Sequence, residues 1–126
     1  MSVQSLIYAP QNAIVVVLDE GGGDVPKVTR ETPSGWPIWA SKSCVVVGCL
    51  PDVDGPTSFS FGPAAELLRN EAPVFDAFIE TPTRQLIVGD SAPKTLFFAD
   101  VADPQTRIRV WVNHKRLPDK VAIGYG

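Results

Sequence analysis

Apolar and polar side chains alternate most regularly between residues 74 and 113, where VFDAFIETP, RQLIVGD and TRIRVWVN are separated by turn-forming residues. Strand side chains project to opposite faces in turn, so Ile108, Val110 and Val112 share one face and Arg107, Arg109, Trp111 and Asn113 the other. This predicts a core strand with a polar, aromatic outer face, which is either solvated or used for docking. In residues 74–81, Phe75, Ala77 and Ile79 alternate with Asp76, Phe78 and Glu80. With a large ring on each face, that strand is expected to be covered on both sides.

The same reading extends along the chain. Residues 5–9 form a short opening strand, and 13–18, containing IVVVL, a β-branched central strand buried on both faces. That strand ends at Asp19-Glu20-Gly21-Gly22-Gly23-Asp24, expected to be a mobile loop. Residues 25–38 hold three prolines and a Pro-Ser-Gly turn, which predicts an irregular excursion with at most an edge strand at 27–31. Residues 43–50 are a second central strand, and 57–61 a half-buried one with Phe59 and Phe61 inward. Pro63 suits the first position of a short helix over 64–70, with Leu67 and Leu68 as its contacts; a continued strand through AELLR is the alternative. Further strands are expected at 86–88, 94–99, 106–113 and 120–123, with a turn at Gly89-Asp90-Ser91-Ala92-Pro93.

About eight or nine short strands with turns between them and one short helix near 63–70 predict an all-β fold, an antiparallel β-sandwich or related barrel. At 126 residues and 44 % hydrophobic, the chain is long enough for one core and too short for two, so residues 1–126 are read as a single domain. No apolar run approaches the roughly 20 residues of a membrane helix. The start, MSVQSLIYAPQ, lacks the charged and apolar regions of a secretory signal. The expectation is a cytoplasmic protein with no membrane partner.

Cys44 and Cys49 bracket SCVVVGC; in an extended chain at ~3.3 Å per residue they stand roughly 16 Å apart on opposite faces, beyond disulfide reach. They are read as free, buried thiols in a reducing compartment, and there is no C-x-x-C redox motif. Asp52-Val53-Asp54-Gly55 matches part of a calcium loop, but no bidentate Glu follows at the required spacing, so a turn explains it better. Gly21-Gly22-Gly23 lacks the Lys-Ser or Lys-Thr of a phosphate loop. His114 is the only histidine and reads as a turn residue. Glu66, Glu71, Asp76 and Glu80 span a helix-to-strand transition rather than forming an acid/base pair. No enzyme, cofactor or metal site is therefore expected.

Charge separates along the sequence. Residues 1–40 carry two basic and four acidic groups, 41–100 four and eight, and 101–126 five and two, for a total of −3. The net negative charge argues against non-specific nucleic-acid binding, which depends on cations facing phosphates. Arg107, Arg109, Lys115, Arg116 and Lys120 form a basic tail, and cross-strand pairing with the acidic 76–80 strand is the expected use of its arginines. Trp36 and Trp39, at the base of the long loop, read as plugs for the end of a sandwich core in preference to an exposed recognition pair.

The run from DGPTSFSF through FDAFIETPTRQLIVGDS to RIRVWVN resembles the competence-protein-J-like family of bacterial nuclease inhibitors and similar small immunity-type β-sandwiches. The Trp-containing loop and AELLRN have no matching counterpart there. The resemblance implies a protein that binds and blocks a partner, without naming that partner or its contact residues.

Two function classes follow. One is a non-catalytic protein-binding or inhibitor domain, using either the acidic middle segment with Asp52 and Asp54 or the Arg107, Arg109 and Trp111 face. The other is a sandwich with a carbohydrate-like small-ligand site at Trp36, Trp39 and the 19–24 loop. Self-association through an open edge strand is a third, structural possibility.

Overall fold

A computed structural model describes residues 3–32, 34–67, 69–92 and 94–126. The strands are β1 (Gln4–Tyr8), β2 (Ile14–Asp19), β3 (Ile38–Ala40), β4 (Cys44–Gly48), β5 (Thr57–Pro63), β6 (Phe75–Glu80), β7 (Gln85–Asp90), β8 (Thr95–Asp100), β9 (Gln105–Val112) and β10 (Lys120–Tyr125). They form two five-stranded sheets, ordered β1-β5-β10-β9-β6 and β3-β4-β2-β7-β8. The all-β sandwich expected from the period-two pattern is what forms.

Burial follows that period. Val15 and Val17 of β2, Val45 and Val47 of β4, Leu86 and Val88 of β7 face Phe59 and Phe61 of β5, Ile108 and Val110 of β9, and Val121 and Ile123 of β10 across one core. Phe61 also stacks on Phe97 of β8 with ring centroids 5.3 Å apart, tying the sheets together near one edge. All these side chains are nearly or wholly excluded from water, so the inter-sheet layer supplies the main driving force for folding.

Several local expectations change. No strand forms at residues 27–31; the extra edge strand is β3, through Trp39, which pairs with Val46 of β4. Pairing is not wholly antiparallel, because β10 runs parallel to β5, and no local sequence pattern reports the direction of so distant a partner. The helix near 63–70 is a single short 3-10 turn, Ala64–Leu67. Leu68, expected as one of its contacts, lies outside the described residues, as do Pro33 and Pro93 of two expected turns. The outer side of β2 is half-buried at Ile14, Val16 and Leu18 rather than covered.

The 19–24 segment is pinned rather than free. The buried Asp19 carboxylate accepts hydrogen bonds from the amide of Gly21 at 2.8 Å, the amide of Thr83 at 3.0 Å and the hydroxyl of Thr83 at 2.8 Å. At the other end the Asp24 amide donates to Ser43 Oγ at 2.7 Å, and Ser41 Oγ donates to the Asp24 carbonyl. A buried carboxylate is tolerated where several donors converge on it, and here they lock the loop to the β6–β7 turn.

Candidate interaction surfaces

The outer face of the first sheet is divided by a local cover. The Ala64–Leu67 turn sits over the middle of the sheet because β10 places Gly124 beneath it: a Cβ there would stand 2.9 Å from the Ala64 Cα. The missing side chain lets the 3-10 turn sit against the strand. Trp111 of β9 is covered on the same side. Its indole N–H donates to the Glu71 carbonyl at 2.9 Å, and only 7 % of the residue is exposed. Trp111 was expected on a polar outer face open to a partner; it is on the outer side, but covered. Arg109 is half-buried beside it and donates to the Gly126 carbonyl at 2.7 Å.

Beyond that cover the face opens. Arg107 grips Asp76 in a two-pronged pair, Nε to Oδ1 at 2.7 Å and Nη2 to Oδ2 at 2.6 Å, as cross-strand pairing of the tail arginines with β6 predicts. Hydrogen bonding to Arg107 holds the Asp76 carboxyl below its ordinary range and raises the Arg107 guanidinium above its own. Directly across from Arg107 stands Phe78, 62 % exposed. A ring expected to be covered is bare, because among the described residues no element packs over β6 on this side. Phe78 borders two open concavities, one lined by Glu80, Pro82, Asp103, Pro104 and Gln105, the other by Asp100, Val101, Arg107 and Tyr125. Phe78 is the functional candidate that alternation alone did not single out.

The other predicted residues lie apart from this face. Asp52 and Asp54 sit in an exposed 3-10 turn after Leu50, whose amide bonds to Pro118, beyond the far end of β9 from Arg107. Gly55 closes that turn with φ 123°, a backbone setting suited to glycine. His114 is exposed, and its Nδ1 accepts the amides of Arg116 at 3.0 Å and Leu117 at 3.1 Å, so it organises its own turn. Both cysteines are free and buried; burial pushes the Cys44 thiol up to about 11 and, against a partly offsetting backbone hydrogen bond, the Cys49 thiol to about 12. Neither is a ready nucleophile at neutral pH. Buried Asp90 accepts the Tyr8 hydroxyl at 2.7 Å and the amides of Ala92 and Lys94 at 2.9 and 3.0 Å. Burial opposes its ionisation, but these hydrogen bonds prevail and hold its carboxyl below the ordinary range.

The tryptophans are not core plugs. Trp36 and Trp39 are half-buried, outside the core cluster, and line a groove of about 590 Å³ with Val28, Thr29, Arg30, Glu31, Lys115 and Arg116. The 19–24 loop is not part of its wall. The Trp39 indole N–H donates to Thr29 Oγ1 at 3.2 Å, and Lys115 Nζ sits 5.3 Å from the centroid of the Trp36 ring.

No family profile and no curated protein matches the sequence. Among solved structures, the chain is similar to ComJ from Bacillus subtilis, described as an inhibitor of the DNA-degrading activity of NucA, with a TM-score of 0.64 over 99 % of this chain and 94 % of that one at 11 % identity. The second similar structure is described as crocagin biosynthetic gene J, with a TM-score of 0.47, 8 % identity and coverage of 98 % and 95 %. The ComJ likeness is one of fold. At the level of fold it bears out the resemblance read from residues 54–113, and the match spans 99 % of this chain.

Proposed function

We propose that this chain is a non-catalytic binding protein that blocks a protein partner, in the manner of an inhibitor, and that the partner docks on the Phe78–Arg107 face. The observation that carries this reading is the bare Phe78 ring opposite an ordered Arg107–Asp76 pair, within a fold shared end to end with a nuclease inhibitor. Aromatic and arginine side chains dominate the energetics of most protein interfaces, and Phe78 is free to be buried by a partner without any rearrangement of the core. Arg107, held in place by Asp76, brings little ordering cost to such a contact.

His114 is engaged in its turn, Asp19 in a loop anchor and Asp90 with Tyr8, and the two thiols are buried and protonated, which supports the non-catalytic reading. Unpaired buried thiols also suit the reducing cytoplasm. A nuclease of the NucA kind is the partner class to try first. Purified protein titrated into NucA acting on DNA should slow degradation with a stoichiometric endpoint, and Phe78→Ala should weaken the effect. Full degradation at large excess would remove that partner class, and substrate turnover by this chain alone would overturn the non-catalytic reading.

A further inference from the structure

The groove beside β3 has a chemistry that the Phe78 face does not share. Two parts of the chain far apart in sequence meet there, residues 28–32 and 35–39 bringing Arg30, Trp36 and Trp39, and the turn after β9 bringing Lys115 and Arg116. At about 590 Å³ it lies within the usual size of small-molecule sites, roughly 300–1,000 Å³. Its wall holds three cations against one carboxylate, Glu31, in a protein whose overall charge is −3. Among the described residues, the salt bridges are Arg69–Glu71 and Arg107–Asp76, so none of the three groove cations is neutralised by an ion pair. Lys115 Nζ lies over one face of the Trp36 ring, 5.3 Å from its centroid, which holds an ammonium against an aromatic surface.

Indoles that line a groove can stack on flat rings of any sequence, and unpaired Lys and Arg beside them attract phosphate. A carbohydrate would use the rings and leave the cations idle; inorganic phosphate would do the reverse. The ligand that uses both has a planar base and a phosphate a few bonds away. We propose that the Trp36–Trp39 groove, with Arg30, Lys115 and Arg116, binds the base-and-phosphate unit of a nucleotide, either free or within a single strand. Net negative charge disfavours non-specific binding along a duplex, but a local excess of cations in a concave site acts at short range, within the screening length of the solution.

Intrinsic fluorescence tests this directly, because Trp36 and Trp39 line the groove while Trp111 is buried, hydrogen-bonded to the Glu71 carbonyl, and supplies a constant background. Four probes are titrated: thymidine 5′-monophosphate, a short oligothymidylate, thymidine and inorganic phosphate. The expected result is saturable quenching by one or both phosphorylated probes, with thymidine and phosphate alone at least tenfold weaker. Stronger binding by the oligonucleotide would identify a single strand as the source, and equal binding a free nucleotide. Lys115→Glu with Arg116→Glu, both on the surface and so compatible with folding, should weaken binding by tenfold or more, and added salt should weaken it further. Trp36→Phe with Trp39→Phe should abolish most of the quenching. Absence of saturable quenching by either phosphorylated probe, equal quenching by thymidine, or binding indifferent to the double charge reversal would overturn the proposal. None of these outcomes bears on the Phe78 face, so either reading can fail alone.

Discussion

Phe78 and Trp111 stand on the same side of the same sheet, on neighbouring strands, yet one is 62 % exposed and the other 7 %. The alternation that places them there is identical in kind. What differs is chain from elsewhere: Ala64–Leu67 lies against Gly124 and the Glu71 carbonyl caps the Trp111 indole, while among the described residues nothing covers the Phe78 ring. Alternation assigns a side chain to a face of a sheet, while tertiary cover decides whether that face belongs to the core or to the surface. An aromatic ring that escapes cover is available to a partner; one that is capped and hydrogen-bonded contributes to stability.

If that contrast is right, the largest effect belongs to Trp111. Trp111→Ala should lower the free energy of unfolding by about 3–5 kcal/mol in denaturant titration, as for other buried aromatics. A loss below about 1 kcal/mol would mean that Ala64–Leu67 and Glu71 give no effective cover. The cover itself is tested by Gly124→Ala, whose new methyl meets the Ala64 backbone. This should cost about 1–3 kcal/mol and raise the exposure of Trp111, read as a red shift in its emission.

On the open side the effects should be smaller. Arg107 depresses the Asp76 carboxyl, so the stabilisation from this pair is fully present above the ordinary carboxylate value near 3.8 and is lost as pH falls through the lower folded value. Asp76→Asn should therefore cost less than Gly124→Ala at neutral pH and remove part of the acid-side decline seen in the wild type. Solvent access to both side chains keeps that share modest. Phe78→Ala should be the mildest change of all, within about 0.5 kcal/mol of wild-type stability. A large loss of stability there would show that Phe78 is part of the fold and remove the contrast with Trp111.

The sandwich was legible because its evidence is local. IVVVL and SCVVVGC are short β-branched apolar runs of strand length, TRIRVWVN alternates with period two, and the turns between them carry Gly, Pro, Asn or Asp. The pairing of β5 with β10 in parallel was not legible, since it joins segments separated by most of the second half of the chain. Strand β3 was hidden because its three residues follow Pro37 and include Trp39, which reads equally well as a loop aromatic. For the candidate sites, the sequence could pick out Arg107, Trp36 and Trp39 by residue type. It could not show that Arg107 faces Phe78, that the tryptophans meet Lys115 and Arg116, or that Trp111 is capped. Each of those facts depends on which segments the fold brings over a given face.

The most direct test of the central claim is capture of a partner from the native host by the wild-type chain and by Phe78→Ala side by side, followed by titration of the two purified proteins. A single stoichiometric protein, bound by wild type and weakened by about 2 kcal/mol or more in the variant, is the predicted result. Recovery of the chain alone, or a partner held equally well by Phe78→Ala, would contradict it.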